Sequence, residues 1–298
     1  MTANAMFSPI QIWLIAIRPK TLAAAVAPVI AGTAVAVHEG GEHWPMATLV
    51  MITALLLQIA ANFANDAFDF RSGVDTPERL GPVRITSSGL VSADVVIKVT
   101  VGVLALAIVT GLPLAIRGGW PILALGIAAI VCAVAYTGGP LPLAHLGLGE
   151  VFVMLFFGFA AVAGTAYVQT GELTPLALAT SIPVGALAVA ILVINNLRDI
   201  GADRAAGKLT VAVRLGGRRT RWEYAALLVV AGAAPVVFWI VGWLNWSCVL
   251  TIVWWPFGAS LWNQVTTRAG RELNPVLGNT SKALLYYSLA LSAALIIS

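Results

Sequence analysis

Two short acidic stretches of the chain combine residue types and spacings that can do chemistry. In the first, Asn62, Asn65, Asp66 and Asp69 follow an apolar run at residues 46–61. At about 100° per helical residue, these four side chains fall within one narrow sector of a helix. The pattern therefore predicts a helix that ends in a face of amide and carboxylate oxygens.

The second acidic stretch repeats this arrangement at the end of another apolar run. Asn195, Asp199 and Asp203 are spaced four residues apart, so they also share one face of a helix. Each charged side chain inside a membrane costs about 2.5 to 3.5 kcal/mol on insertion scales. Carboxylates gathered at one site also repel one another and take up protons. Two matched clusters therefore predict one shared site in which a bound cation removes the repulsion.

The ligand chemistry predicts which cation this is. Oxygen ligands from Asp66, Asp69, Asp199 and Asp203, with no His or Cys beside them, favour a hard ion such as Mg²⁺. Mg²⁺ is usually shared between one or two carboxylates and the oxygens of a phosphorylated substrate. Basic residues suited to the remaining phosphate oxygens follow both stretches, namely Arg71, Arg79, Arg84, Arg198, Arg204, Lys208 and Arg214. We therefore expect a site for a metal-bound diphosphate.

The composition places this site in a membrane protein. Of the 298 residues, 10% are charged and 59% are hydrophobic, against about 25% and 45 to 50% in an ordinary soluble domain. The surroundings are therefore a lipid bilayer, and nothing indicates a nucleic-acid partner. Cys132 and Cys248 lie inside apolar runs, where we interpret them as small buried hydrophobic residues. The sequence does not specify an oligomeric state.

The apolar runs predict an all-α, polytopic bundle of about nine transmembrane helices, folded as a single domain over residues 1–298. Both acidic stretches fall at helix ends. The first span is interrupted at Arg18-Pro19-Lys20. The predicted spans are 8–37, 45–70, 93–116, 120–136, 148–169, 175–196, 222–243, 246–265 and 282–297.

The distribution of Lys and Arg predicts the orientation of the bundle. If the spans alternate, the loops after the second, fourth, sixth and eighth spans share one side with the amino terminus. Nearly all Lys and Arg lie on that side, and Arg117 alone falls on the opposite side. Loops rich in Lys and Arg face the cytoplasm. We therefore expect a multi-pass protein of the cell membrane whose acidic site faces the cytoplasm.

Further short motifs surround the acidic residues in a fixed order. They are Asn65-Asp66-x-x-Asp69 with Gly73-x-Asp75, Gly81-Pro82-x-Arg84, Tyr136-Thr137-Gly138-Gly139-Pro140, Gly147-x-Gly149-Glu150, Asn195-Asn196-x-Arg198-Asp199-x-x-x-Asp203, and Gly207-Lys208-x-Thr210-x-x-Val213-Arg214-Leu215-Gly216. This series resembles the UbiA-type intramembrane aromatic prenyltransferases over essentially the whole chain. The third and last motifs resemble the branch that uses 1,4-dihydroxy-2-naphthoate in menaquinone biosynthesis. Asn195 and Asn196 depart from other branches, which often carry a further Asp there.

The resemblance implies roles for these residues. Mg²⁺ held by Asp66, Asp69, Asp199 and Asp203 would bind the diphosphate of a polyprenyl diphosphate donor, and Lys208 would stabilise the leaving diphosphate. The acceptor, 1,4-dihydroxy-2-naphthoate, would attack through the carbon that bears its carboxylate, with loss of carbon dioxide, to give demethylmenaquinone. The residues implied in substrate binding are Asn62, Asn65, Arg71, Asp75, Arg84, Asn195 and Arg198, with Tyr136 as a shield for the prenyl cation or a helix cap, and Arg18 and Lys20 as partners of the acceptor carboxylate or interfacial anchors.

Three alternatives use the same residues differently. Another acceptor, such as hydroxybenzoate, homogentisate or a sugar phosphate, would keep the acidic site and change the acceptor pocket. A divalent-cation transporter would also place Asp and Asn inside a helical bundle, although the Arg and Lys beside the carboxylates disfavour a path for cations. A purely structural protein has no use for paired acidic faces.

Overall fold

The structure, a computed structural model, describes residues 7–73, 80–138, 143 and 146–298. Across these residues the chain is helical and contains no strand, which confirms the predicted all-α class. The helices are α1 (Pro9–Ile17), α2 (Pro19–His38), α3 (Trp44–Arg71), α4 (Ala93–Ala135), α5 (Gly149–Val153), α6 (Gly164–Thr170), α7 (Pro175–Ala205), α8 (Val211–Ile240), α9 (Trp254–Thr267) and α10 (Leu273–Ile297). A π-helical segment, Met154–Ala163, joins α5 to α6.

The break expected near Arg18 divides the first predicted span into two helices. Ser8 begins α1 with a capping box, in which its side chain accepts from the backbone of Gln11 and the Gln11 side chain accepts from the backbone of Ser8. Arg18 then adopts a left-handed conformation with φ of 55°, and Pro19 starts α2 at the position where a missing N–H is harmless. The turn directs the Arg18 side chain towards the interior of the bundle, where it lines the main cavity.

The long helix α4 consists of two antiparallel halves. Gly119 inside it has φ of 70° and ψ of −161°, a conformation that glycine alone adopts easily. Both ends of α4 meet the end of α3, since Asp94 pairs with Arg71 and Gly138 packs against Phe68. The chain therefore reverses at Gly119, as the separate spans 93–116 and 120–136 predicted.

Seven helical segments within the described residues are long and apolar enough to cross a membrane, and α4 counts once among them. Because α4 contains two antiparallel halves, it corresponds to two of the predicted spans. The helix α9, at 14 residues, is about 21 Å long, which is shorter than the hydrocarbon layer of about 30 Å. A ninth crossing, through α9 and the turn before it, stays a prediction.

The helix α7 lies at the centre of the bundle. Of the 18 consecutive residues that form its most apolar part, 72% are buried. The helix packs against the π-helical segment, α8 and α10. The approach to the π-helical segment is close because both sides carry glycine: a Cβ on Gly158 would lie 3.1 Å from the Cα of Gly185. This packing fixes α7, which carries the second acidic stretch at its end, relative to the π-helical segment and α5.

Candidate active site

A cavity of about 940 Å³ runs through the bundle between α2, α3, α4, the π-helical segment and α7. One end is polar, and its lining residues are Asn62, Asn65, Asp69, Arg84, Tyr136, Thr137, Glu150, Asn195, Asn196, Asp199, Asp203 and Lys208. The other end is apolar and is lined by residues such as Val50, Leu57, Leu114, Ile122, Leu125, Phe152, Phe156 and Phe157. Val50 and Asp69 both lie on α3, about 28 Å apart along its axis. The cavity therefore extends across most of a bilayer's hydrocarbon thickness.

The first acidic stretch contributes Asp69 to the polar end of this cavity. Asp69 is buried, and its Oδ2 pairs with Nη1 of Arg84 at 2.6 Å. The same nitrogen donates to the backbone carbonyl of Asn65 at 2.6 Å, which fixes the loop that carries Arg84 against α3. The Oδ1 of Asp69 is buried and has no hydrogen-bond partner among the described residues. Such an oxygen is suited to accept a metal or a donor from a bound molecule.

Two asparagines of the first stretch also line the cavity. Asn65 Oδ1 accepts a hydrogen bond from the Thr137 hydroxyl at 2.8 Å, which ties the end of α4 to α3. Asn62 Nδ2 donates to the Ile17 carbonyl at 2.8 Å and to the Thr21 hydroxyl at 3.1 Å. Asn62 therefore anchors the turn between α1 and α2, next to Arg18.

Asp66 takes a different place from the one that its spacing predicted. It is buried but is not among the residues that line the cavity. Its carboxylate accepts from the backbone N–H of Ile85 at 3.1 Å and of Thr86 at 3.0 Å, and also from the Thr86 hydroxyl. These donors hold the loop after Arg84 against α3, and because Asp66 does not line the cavity, we do not include it in the metal site proposed below.

Asp199 stands at the cavity wall with a bound guanidinium. Arg198 donates from Nε to Asp199 Oδ1 at 2.8 Å and from Nη2 to Asp199 Oδ2 at 2.5 Å. Its remaining bonds go to Asn195 Oδ1 at 2.8 Å and to Asn274 Oδ1 at 2.9 Å. Arg198 itself is buried and does not line the cavity. It is therefore placed to hold Asp199 and Asn195 in position, which differs from the direct substrate contact expected from the sequence.

Asp203 and Lys208 form the last charged pair of the polar end. The Lys208 Nζ lies 3.8 Å from Asp203 Oδ1, and the Lys208 backbone N–H donates to the Asp203 carbonyl at 2.8 Å. Gly207, with φ of 72°, makes this tight turn at the end of α7. Both side chains line the cavity.

Arg214 holds two loops of the site together and does not reach into the cavity. It donates to the Leu209 carbonyl at 3.0 Å and to the Leu146 carbonyl at 2.8 Å. Residue 147 must be glycine for this close contact, because a Cβ there would lie 2.6 Å from the Leu209 carbonyl oxygen. Arg214 thereby joins the loop of Lys208 to the loop that leads into α5.

Two other residues expected from the sequence, Arg71 and Lys20, do not line the cavity. Arg71 is exposed and pairs with Asp94 on the outside of the bundle. Lys20 is exposed and its stem packs over Gly278 of α10. Asp75 lies outside the described residues. Tyr136, by contrast, lines the cavity beside the start of α5.

Two further polar residues, Glu150 and Asn196, line the polar end of the cavity, and the sequence motifs assigned no role to them. Their side chains are joined, because Asn196 Nδ2 donates to Glu150 Oε1 at 3.0 Å. A carboxylate at the start of an otherwise apolar run was a usable signal, since ionisable residues inside membranes are rare and usually functional.

The donors of the polar end suit a metal shared with a ligand. No group of three or more His, Cys, Asp or Glu side chains within the described ranges could hold a metal ion by itself. The Oδ1 of Asp69, which has no hydrogen-bond partner among the described residues, is available to bind an ion. Asp199, Asp203 and the amides of Asn65 and Asn195 offer further oxygen donors. Mg²⁺ commonly binds through one or two carboxylates plus phosphate oxygens. The residues present therefore fit such an ion when a phosphorylated ligand supplies the rest.

Comparison with known proteins identifies the family to which the chain is similar. Residues 25–296 match the UbiA prenyltransferase family. The 1,4-dihydroxy-2-naphthoate octaprenyltransferase of Mycobacterium tuberculosis is 41% identical over 284 residues, which cover 95% of this chain and 96% of that protein.

Two solved structures share the fold. A UbiA homologue from Aeropyrum pernix K1, in its apo form, has a TM-score of 0.69 at 17% identity and covers 94% of this chain and 98% of its own. A UbiA homologue from Archaeoglobus fulgidus, bound to DMAPP and Mg²⁺, has a TM-score of 0.62 at 16% identity with the same coverage.

Proposed function

The chain belongs to the UbiA prenyltransferase family, and from this we propose that it transfers a polyprenyl group from polyprenyl diphosphate to 1,4-dihydroxy-2-naphthoate in menaquinone biosynthesis. The acceptor would lose its carboxylate as carbon dioxide, and the product would be demethylmenaquinone. A full-length relative at 41% identity carries the name of this activity.

The observation that carries the proposal is the division of one cavity into a charged end and an apolar end. A polyprenyl diphosphate has the same division, with a polyanionic head and a long hydrocarbon tail. The apolar end, lined by side chains such as Leu57, Leu125 and Phe156, would hold the tail. The charged end would hold the diphosphate.

We propose that Asp69, Asp199 and Asp203 hold Mg²⁺, with Asn65 and Asn195 as further oxygen donors. The ion would supply positive charge that neutralises the diphosphate as it leaves. Lys208 would donate to diphosphate oxygens that the metal leaves unpaired, because its ammonium lies at the cavity wall and only 3.8 Å from Asp203. Arg84 and Arg198 hold Asp69 and Asp199 in place through ion pairs.

The acceptor is tested with membranes that contain the protein and a polyprenyl diphosphate. We expect prenylation of 1,4-dihydroxy-2-naphthoate with release of carbon dioxide from its carboxylate, and little product from 4-hydroxybenzoate. Chromatography of the product and trapping of labelled carbon dioxide measure both. A preference for hydroxybenzoate would keep the family and contradict the acceptor.

We further propose that the polar end faces the cytoplasm across a bacterial cell membrane. Arg84, Arg204 and Lys208 lie at the same end of the bundle as Asp69, whereas Arg117 lies at the opposite end, where it donates to the Val168 carbonyl at 2.7 Å. The positive-inside rule places the end that is rich in Lys and Arg in the cytoplasm.

Single cysteines test this orientation in a background without Cys132 and Cys248. We expect cysteine at Leu209, an exposed residue at the polar end, to resist membrane-impermeant thiol reagents in intact cells. Cysteine at Glu172, exposed in the loop between α6 and α7, should be labelled. Labelling at 209 with protection at 172 would reverse the orientation.

A further inference from the structure

Glu150, in the first turn of α5, is a cavity carboxylate that belongs to neither acidic stretch. Asn196 holds it by donating to Oε1 at 3.0 Å. Asn196 precedes Asp199 by three residues of α7, about one helical turn further into the membrane. Glu150 is therefore held at the inner edge of the polar end, where the apolar end of the cavity begins.

The hydrogen bonding of Glu150 differs from that of the other cavity carboxylates. Asp69, Asp199 and Asp203 are each paired with a cation, from Arg84, Arg198 and Lys208 respectively. Within the described part of the chain, Glu150 has amide partners only, and its Oε2 is buried without any partner. A buried carboxylate oxygen without a donor is unfavourable. A hydroxyl group on a molecule bound in the cavity can supply that donor.

The surroundings of Glu150 suit a flat aromatic molecule. Tyr136 lies directly over the start of α5, since a Cβ on Gly149 would lie 3.1 Å from the Tyr136 hydroxyl oxygen. Tyr136, Gly149 and Asn196 all line the cavity beside Glu150. This part of the cavity thus combines an aromatic ring with a proton acceptor, next to the place proposed for the reacting end of the prenyl donor.

Building on the function proposed above, we propose that Glu150 binds the acceptor hydroxyl adjacent to the carboxylate-bearing carbon and acts as the base for prenyl transfer. The hydroxyl proton moves to Oε2 as the ring carbon forms a bond to the first prenyl carbon. The bond from that carbon to the diphosphate breaks, and its electron pair leaves with the diphosphate. The ring is then a β-keto acid.

The same residue completes the reaction in its protonated form. The bond from the ring to the carboxylate breaks, carbon dioxide leaves, and the electron pair passes to the neighbouring carbonyl oxygen as an enolate. Glu150 returns its proton to that oxygen and restores the aromatic hydroxyl. The proton is borrowed and returned, so no other acid or base is required.

Glu150→Gln tests this role, because glutamine keeps the size and the oxygen that accepts from Asn196 and loses the basicity. We expect kcat with 1,4-dihydroxy-2-naphthoate to fall about 10²-fold or more, the range for a general base. The dissociation constant of a non-reactive prenyl thiolodiphosphate should stay within about twofold of the wild type, since the diphosphate binds elsewhere. If Glu150 only maintained the shape of the cavity, Glu150→Gln would change both kcat and this dissociation constant.

An acceptor with a methyl ether at that hydroxyl gives the sharper test. The wild type should use it slowly, and Glu150→Gln should be no slower, because no proton is there to take. Glu172→Gln is the control: it makes the same substitution at an exposed residue in the loop between α6 and α7, which does not line the cavity. We expect it to keep wild-type kcat.

The outcomes separate this inference from the function on which it rests. A wild-type protein that does not prenylate 1,4-dihydroxy-2-naphthoate would contradict the proposed function, and the role of Glu150 with it. An active wild type together with an equally active Glu150→Gln protein would overturn only the role of Glu150. An equal loss with the hydroxyl and the methyl ether acceptors would do the same.

Discussion

Asp69→Asn and Asp199→Asn are each expected to lower kcat of prenyl transfer by about 10²- to 10³-fold, the loss typical when one group that stabilises a developing negative charge is removed. Asp69 offers a buried oxygen without a partner, and Asp199 offers a carboxylate fixed by Arg198, at the same end of one cavity. In the proposed site, each substitution would remove a negative charge that holds Mg²⁺ against the leaving diphosphate. Steady-state kinetics of purified variants measure the loss, and chelation of divalent cations should produce a loss of similar size.

The double variant tests whether the two acidic stretches act as one site. Groups that serve one catalytic unit are strongly non-additive, so Asp69→Asn with Asp199→Asn should be far less damaging than the product of the two separate losses. Asp94→Asn is the matched control, because Asp94 is exposed and pairs with Arg71 outside the cavity. A fully multiplicative loss, or a comparable loss in the control, would contradict a shared site.

Lys208→Met is expected to lower kcat by about 10²-fold, because it removes the cavity ammonium that would stabilise the leaving diphosphate. Methionine keeps most of the length of the side chain, so the packing of the turn after α7 should survive. Lys208→Arg keeps a cation and should recover part of the activity. Single-turnover kinetics with saturating donor separate this effect from weaker binding.

Arg204→Met provides the comparison for Lys208. Arg204 is an exposed cation at the end of α7, four residues before Lys208, and it does not line the cavity. We expect it to retain wild-type kcat. If Lys208→Met and Arg204→Met behaved alike, general surface charge would explain the effect and the assigned role of Lys208 would fail.

The helices were predictable from the sequence because membrane spans are set by apolar length, which is a local property. The reversal at Gly119 could be placed for the same reason: an apolar stretch of 43 residues is about 64 Å long as one helix, more than twice the hydrocarbon thickness. Whether α9 crosses the membrane does not follow from length, because that helix is short and depends on its neighbours.

Within the site, helical spacing was a good guide to the face and a poor guide to the individual side chain. Asn62, Asn65 and Asp69 line the cavity as the spacing predicted, whereas Asp66, at the edge of the same sector, meets the backbone of Ile85 and Thr86. Spacing along one helix carries no information about a loop that folds against it. The same limit applies to Arg198, whose partner Asn274 is distant in sequence.

The measurement that tests the central claim most directly is a crystal structure with Mn²⁺ and a non-reactive polyprenyl thiolodiphosphate, with the metal located by anomalous scattering. We expect metal density that contacts Asp69 of the first acidic stretch and Asp199 or Asp203 of the second, with the diphosphate beside Lys208 and the tail in the apolar end of the cavity. Metal and diphosphate density away from these residues, or density that contacts one stretch alone, would contradict the single shared site.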